Sequence, residues 1–191
     1  MLGEPCPLPK DRMAEAEVSL RFAFYLLALP GSDGLAEVAI DGAQVKVGKH
    51  QVFPIVDFLR DMGWETAEQI GGRDWQGRYV KDGQTLIIHS TPGVGDVVAR
   101  VGRTRIRAEC KGGPLIKKPG GREYSKLWVA LGQVVTVEHV DPDDVLMVAI
   151  PRTDAFRKLA EKWQGAPLVQ RTGIQIALVG RDGTVEGLEL G

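Results

Sequence analysis

The sequence lacks the features that place a protein in several large classes. It has no apolar run of about 18 residues, so no membrane-spanning helix is expected. It also has no Walker motif, no GxGxxG fingerprint and no CxxC pair, so no nucleotide cofactor is expected. Only two cysteines occur, Cys6 in a proline-rich segment and Cys110 on a predicted core strand face. This arrangement predicts free thiols and, by default, a cytoplasmic location.

Excess charge of one sign is also missing, since the net charge is −1 over 191 residues. The charge is nevertheless unevenly distributed. Nine basic and two acidic residues lie between Arg100 and Lys126, which gives this segment a net charge of +7. Such a basic strip is typical of a surface that contacts a phosphate backbone. The residues expected to contact DNA are Arg100, Arg105, Arg107, Lys117, Lys118 and Arg122.

A β-hairpin is predicted over residues 94–113, which read VGDVVARVGRTRIRAECKGG. A two-residue turn that begins at Gly102 has glycine where a type II′ turn needs it. In the resulting register Asp96 lies opposite Glu109, and Lys111 shares their face. The other face is mostly apolar and is expected to be buried.

Two opposed carboxylates have Cβ atoms roughly 4.5–5.5 Å apart, and they repel each other unless a positive charge lies between them. Mg²⁺ prefers such hard oxygen ligands. The alternative is an exposed ribbon with cross-strand charge pairs. That alternative leaves Asp96 and Glu109 as an unfavourable like-charge pair.

Asp96, Glu109 and Lys111 together resemble the site motif of the PD-(D/E)XK nuclease superfamily, which has the restriction-endonuclease-like fold. The resemblance covers roughly residues 85–190 and depends on the order of elements. It implies that Asp96 and Glu109 bind the metal with the backbone carbonyl of Cys110. It also implies that Lys111 is the catalytic lysine. The proline that often precedes the aspartate in this family is replaced by Gly95.

Two further site residues follow from the resemblance alone. Family members often carry a polar residue on the helix after the hairpin, and Gln133 occupies that place. Related nucleases often complete the site with a glutamate from the helix before the core. Glu17 is the first candidate and Glu15 the second, although both also suit the first turn of an ordinary helix.

The expected fold is an α/β domain with a central mixed sheet flanked by helices. Residues 84–191 would form a restriction-endonuclease-like core, and residues 1–83 an N-terminal extension, with a single compact domain as the alternative. The core is expected to run strand 84–90, hairpin 96–111, helix 123–137, strand 145–150, helix 154–163 and strand 174–179. The extension is expected to contain helix 13–29, a hairpin of strands 35–40 and 44–47, helix 50–61 and a linker over 71–83.

The resulting functional hypothesis is a Mg²⁺-dependent DNA endonuclease, with Mn²⁺ as a substitute metal. It is expected to act as a homodimer, because a small nuclease usually pairs to cut two strands. A Holliday-junction resolvase or another structure-specific nuclease is the nearest alternative. A non-catalytic nucleic-acid-binding protein on the same fold is the alternative of another class.

Overall fold

The computed structural model describes residues 8–47, 50–91, 93, 95–116 and 123–190. In this part of the chain a nine-stranded mixed sheet is flanked by helices, which confirms the expected α/β class. The helices are α1 Glu15–Ala28, α2 Gly42–Val45, α3 Ile55–Asp61, α4 Glu123–Val135, α5 Asp154–Gln164 and α6 Pro167–Thr172. The strands are β1 Arg12–Met13, β2 Ser32–Ala39, β3 Lys46–Val47, β4 His50–Gln51, β5 Glu65–Gln69, β6 Gly77–Lys81, β7 Gln84–His89, β8 Val97–Val101, β9 Thr104–Cys110, β10 Gly113–Pro114, β11 Asp144–Pro151, β12 Gln175–Val179 and β13 Val185–Glu186.

The strands of the large sheet follow the order β13-β12-β11-β9-β8-β2-β7-β6-β5. The pairs β9–β11, β11–β12 and β2–β7 are parallel, whereas β8 is antiparallel to both β2 and β9. Strands β9 and β11 therefore end at the same edge of the sheet. The first residues after β9 emerge at that edge.

Alternate residues of β11 point to two separate hydrophobic clusters. Met147 and Ala149 pack on the side of α1, while Val148 and Ile150 pack on the side of α4 and α5. A strand buried on both faces reads as a continuous apolar run, as the sequence predicted for this segment. The hairpin follows the same alternation, with Ala108 fully buried on the α1 side.

The β8–β9 hairpin has the predicted register. Val101 pairs with Thr104 and Arg100 pairs with Arg105 across the two-residue turn. Gly102 has a φ of +59°, in the left-handed region that glycine adopts without a Cβ penalty.

The N-terminal half contributes strands to the same sheet as the hairpin. Strand β2 lies between β7 and β8, so the sheet has no boundary near residue 83. Strand 84–90 therefore forms as expected but does not lie beside the hairpin. The expected linker at 71–83 also contains β6, which pairs with both β5 and β7.

The hairpin predicted from strands 35–40 and 44–47 is wrong. The Asp41 side chain accepts a hydrogen bond from the backbone N–H of Ala43 and caps α2, so the chain enters a helical turn. The short β3 that follows pairs with β4 and not with β2. Within the described residues, no helix has the length and apolar character needed to cross a membrane.

Candidate metal centre

Asp96 lies just before β8, where the β8–β9 ladder ends at the pair Val97–Ala108. Its backbone carbonyl accepts the N–H of Ala39 on β2 at 2.8 Å. Its carboxylate Oδ2 accepts the backbone N–H of Cys110 at 2.8 Å. The two hydrogen bonds hold the carboxylate over the end of β9, beside the residue between Glu109 and Lys111.

The backbone conformation at Gly95 does not allow the proline that often precedes the aspartate in PD-(D/E)XK nucleases. Its φ is +147°, which a proline ring with φ near −65° cannot reach. A Cβ at this position would also lie 3.1 Å from the carbonyl oxygen of Ala108. The conformation before Asp96 therefore requires glycine.

Lys111 reaches the first residue of α1. Its Nζ lies 3.0 Å from Oε1 of Glu15, and the side chains are 12% and 22% exposed respectively. The same Glu15 oxygen accepts the Nε2 amide of Gln44 at 3.0 Å. The backbone N–H of Lys111 bonds to the carbonyl of Ala149 at 2.9 Å, which extends the β9–β11 pairing past β9. Glu15 thus joins the predicted site through Lys111.

Burial and the charge of a neighbouring carboxylate raise the pKa values of both predicted ligands. The pKa of Asp96 is raised mainly by burial and further by the charge of Glu15, although the Cys110 N–H and Lys111 lower it. The pKa of Glu109 is raised to about 7 by burial and by the charge of Asp96. The negative charge at this edge of the sheet is therefore only partly balanced by Lys111.

Lys111 itself stays protonated at neutral pH. Burial lowers its pKa, but the charges of Glu15 and Asp96 outweigh this effect and raise it above its ordinary value. The Cys110 thiol is fully buried, and burial raises its pKa well above that of a free thiol. The Cys110 side chain therefore faces the core, as expected, and leaves only its backbone carbonyl as a ligand.

Glu17, the first candidate for the helix glutamate, lies away from this cluster. Its side chain is fully buried and pairs with Arg21 at 3.0 Å and with Arg181 at 2.8 Å. Two positions along a helix differ by about 200°, so Glu15 and Glu17 point in nearly opposite directions. The second candidate, Glu15, is the one beside Lys111.

Gln133 reaches the surroundings of Glu109. A cavity of about 430 Å³ opens between the end of the hairpin and the last turn of α4. Its lining residues are Gly93, Arg107, Glu109, Gln133, Thr136, Val137, Glu138 and His139. Glu109 therefore borders both the Asp96–Lys111 cluster and a partly polar cavity. His139 was not selected from the sequence because the residues near it carry no motif.

Three arginines expected to contact DNA are paired with aspartates of the segment 141–144, which comprises the loop before β11 and the first residue of that strand. Arg100 bonds to Asp143 at 2.8 Å, and Arg105 and Arg107 bond to Asp144 at 2.5 and 2.8 Å. The Arg107 side chain is only 3% exposed, so little of its surface is available for contact with DNA. The other expected contacts, Lys117, Lys118 and Arg122, lie outside the described residues.

The same loop brings three acids together. Oxygen atoms of Asp141, Asp143 and Asp144 lie within 4.8 Å of one another, a spacing that could hold a cation. The arginines already occupy these oxygens, however, and hydrogen bonds from Arg105 and Arg107 hold the pKa of Asp144 well below its usual range. The cluster is therefore a structural ion-pair network that attaches β9 to the loop.

Comparisons of the chain with protein-family models, with curated proteins and with solved structures each found no match.

Proposed function

We propose that this protein is a Mg²⁺-dependent nuclease that hydrolyses phosphodiester bonds in DNA. The supporting observation is the convergence of Asp96, Glu109, Lys111 and Glu15 at one edge of the sheet. Lys111 contacts Glu15, Asp96 accepts a hydrogen bond from Cys110, and the charge of Asp96 raises the pKa of Glu109. This is the arrangement that the resemblance to PD-(D/E)XK nucleases implies.

The proposed ligands suit a divalent cation in their chemistry. Asp96 and Glu109 each supply a carboxyl group, and Lys111, which pairs with Glu15, supplies one positive charge beside them. Glu15 is not counted as a ligand, because the carboxylates of Glu15, Asp96 and Glu109 do not all bring an oxygen within 4.8 Å of one another. A hard divalent ion bound by carboxylates would balance the remaining charge. Asp96, Glu109 and the carbonyl of Cys110 are the proposed ligands, with Mn²⁺ as a substitute for Mg²⁺.

The bound metal would polarise the phosphate and lower the pKa of a water molecule. Lys111 would orient the attacking water and stabilise the negative charge that develops on the phosphate. Its raised pKa makes it a donor and a cation at neutral pH and not a general base. Glu15 would hold the Lys111 side chain in position through their contact.

Contact with the DNA backbone is assigned to fewer groups than the sequence suggested. Arg100 and Arg105 remain 41% and 31% exposed, but both are neutralised by aspartates. We therefore assign backbone contact chiefly to the basic segment 117–122. Gln133 would contact substrate in the cavity beside Glu109. A homodimer is part of the proposal, because a small nuclease usually pairs to cut two strands. A cytoplasmic location is also proposed, in keeping with the free thiol of Cys110.

Incubation with supercoiled plasmid, linear duplex and a four-way junction, with and without Mg²⁺, tests the proposal. Mg²⁺-dependent nicking that is lost in Asp96→Ala is the expected result. Preferential cleavage of the junction would identify a Holliday-junction resolvase, and cleavage of the duplex a different endonuclease. DNA binding without cleavage in Mg²⁺ or Mn²⁺ would contradict the proposal and favour the non-catalytic alternative.

A further inference from the structure

The most exposed apolar side chains are concentrated in one part of the chain. Among the described residues, seven large hydrophobic side chains are more than half exposed, and four of them lie on α4. These seven are Ile116, Tyr124, Trp128, Val129, Val135, Val140 and Leu168. Exposed apolar side chains clustered on one helix, as on α4, are typical of an interaction site in soluble proteins.

The outer face of α4 forms a continuous stripe. Tyr124, Trp128, Gly132 and Val135 follow one another at intervals of three or four residues, which places them on one side of the helix. Trp163 of α5 widens the stripe through edge-to-face contacts, with its ring centroid 5.5 Å from Tyr124 and 5.7 Å from Trp128. A Cβ at Gly132 would meet no atom within 4 Å, so another backbone can approach closely there.

This face also lacks charge. None of the seven exposed positions of α4 carries a charged side chain, although charged residues make up 26% of the sequence. The seven are Tyr124, Ser125, Trp128, Val129, Gly132, Gln133 and Val135. Depletion of charge with enrichment in tryptophan and tyrosine is characteristic of the centre of a protein–protein interface.

We propose that a second copy of this chain covers this face, with the two α4 helices packed about a twofold axis near Gly132. An uncharged face is compatible with its own copy, because a twofold axis brings no like charges together. A strongly basic or acidic face would repel its copy. The choice of partner also rests on the proposed function, since a small nuclease usually pairs to cut two strands.

The size of the face supports a stable dimer. The exposed apolar side chains of α4, together with Trp163, offer on the order of 500 Å² per protomer. With the small polar residues between them the face approaches the roughly 800 Å² per partner of a standard interface. Gln133 follows Gly132 and lines the cavity beside Glu109, so each cavity would adjoin the interface.

Sedimentation equilibrium of the full chain, without DNA or Mg²⁺, tests the proposal. We expect a dimer whose dissociation constant rises roughly 30-fold or more in Trp128→Glu, as for a hot-spot residue. Val56→Glu is the matched control, because Val56 is an exposed apolar residue on another helix and should leave the dimer intact. Val135→Glu should weaken the dimer as Trp128→Glu does, and circular dichroism should show that both variants are folded.

A chain that stays monomeric at roughly 100 µM would overturn the proposal. A dimer that neither substitution weakens would overturn it as well. If the wild-type chain is monomeric and Trp128→Glu lowers its DNA affinity, the dimer proposal is overturned and the stripe is identified as a surface on which bases stack. Association is measured without DNA, so the two proposals can fail separately. A monomer that still cleaves plasmid would contradict only the proposed dimer. A dimer that does not cleave DNA would contradict only the proposed nuclease activity.

Discussion

The ammonium group of Lys111 lies 3.0 Å from a carboxylate oxygen of Glu15, although 96 positions separate the two residues in the sequence. The contact joins the end of β9 to the start of α1. It adds a third carboxyl group to the predicted pair Asp96 and Glu109 and lowers the freedom of the lysine side chain.

Replacement of Lys111 tests the proposed chemistry directly. Lys111→Ala should lower the cleavage rate by about 100-fold or more, because a positioned cation that stabilises transition-state charge is lost. DNA binding should change little. Plasmid nicking and a binding assay in Ca²⁺ measure the two effects. The control Lys162→Ala removes an exposed lysine of α5, and a comparable loss of cleavage in that variant would contradict a specific role for Lys111.

Glu109→Gln should raise the thermal stability of the metal-free protein at neutral pH. The raised pKa of Glu109 means that burial and Asp96 both disfavour its charged form, so a neutral isostere relieves an unfavourable charge. The same substitution should abolish the stabilisation that Mg²⁺ gives to the wild type.

Thermal unfolding with and without Mg²⁺ measures both effects. For a chain of this size, an increase in Tm of about 2–4 °C corresponds to a gain of roughly 1 kcal/mol in the free energy of unfolding. Glu161→Gln, an exposed substitution on α5, is the matched control and should retain the Mg²⁺ effect. A Glu109→Gln protein that Mg²⁺ still stabilises would exclude this carboxylate as a ligand.

Glu15 and Glu17 should respond differently to the same substitution. Glu15→Gln should reduce cleavage with little loss of stability, because Glu15 is partly exposed and contacts Lys111. Glu17→Gln should lower the free energy of unfolding by about 3 kcal/mol, because Arg21 and Arg181 lose a fully buried partner. Urea unfolding measures stability and plasmid nicking measures cleavage. If Glu15→Gln lost stability and Glu17→Gln lost cleavage, Glu17 and not Glu15 would belong to the site.

The Asp144 network should make the protein sensitive to acid. Hydrogen bonds from Arg105 and Arg107 hold the pKa of Asp144 well below its unfolded value, which is about 3.9. The stability that these pairs provide is therefore present above about pH 4 and is lost as the pH falls below that value.

Urea unfolding measures the free energy of unfolding at pH 6 and at pH 3. The difference between these two values should be smaller in Asp144→Asn than in the wild type. Asp144→Asn should also be less stable at pH 6 by about 3 kcal/mol, since it removes the charge of Asp144 from its ion pair with the buried Arg107. The exposed Asp154→Asn should retain the wild-type dependence on pH. Equal dependence in all three proteins would exclude Asp144 as its source.

Local sequence patterns predicted the hairpin and most core elements. A glycine in the turn and alternating apolar residues determine which hairpin face is buried, so the register from Val97 to Ala108 follows from nearby residues alone. The same applies to the apolar run that becomes β11. The hairpin predicted from strands 35–40 and 44–47 was wrong, because the Asp41 side chain caps a helix, α2, at the position of the expected turn.

The position of β2 and the partners of the arginines needed tertiary structure. Nothing in a strand's own residues specifies which strand lies beside it, so the placement of β2 between β7 and β8 was not predictable. The segment between Arg100 and Lys126 suggested DNA contacts because it has a net charge of +7 when only its own residues are counted. In space, the loop before β11 brings aspartates to Arg100, Arg105 and Arg107 and neutralises them.

The sequence by itself determined the α/β class, the hairpin and the common face of Glu109 and Lys111, because helical and strand periodicities act over a few residues. Only the tertiary structure decided that Glu15 and not Glu17 meets Lys111, and that aspartates cover the arginines. Those contacts join residues more than thirty positions apart. They depend on how helices and loops dock on the sheet, which no local pattern encodes.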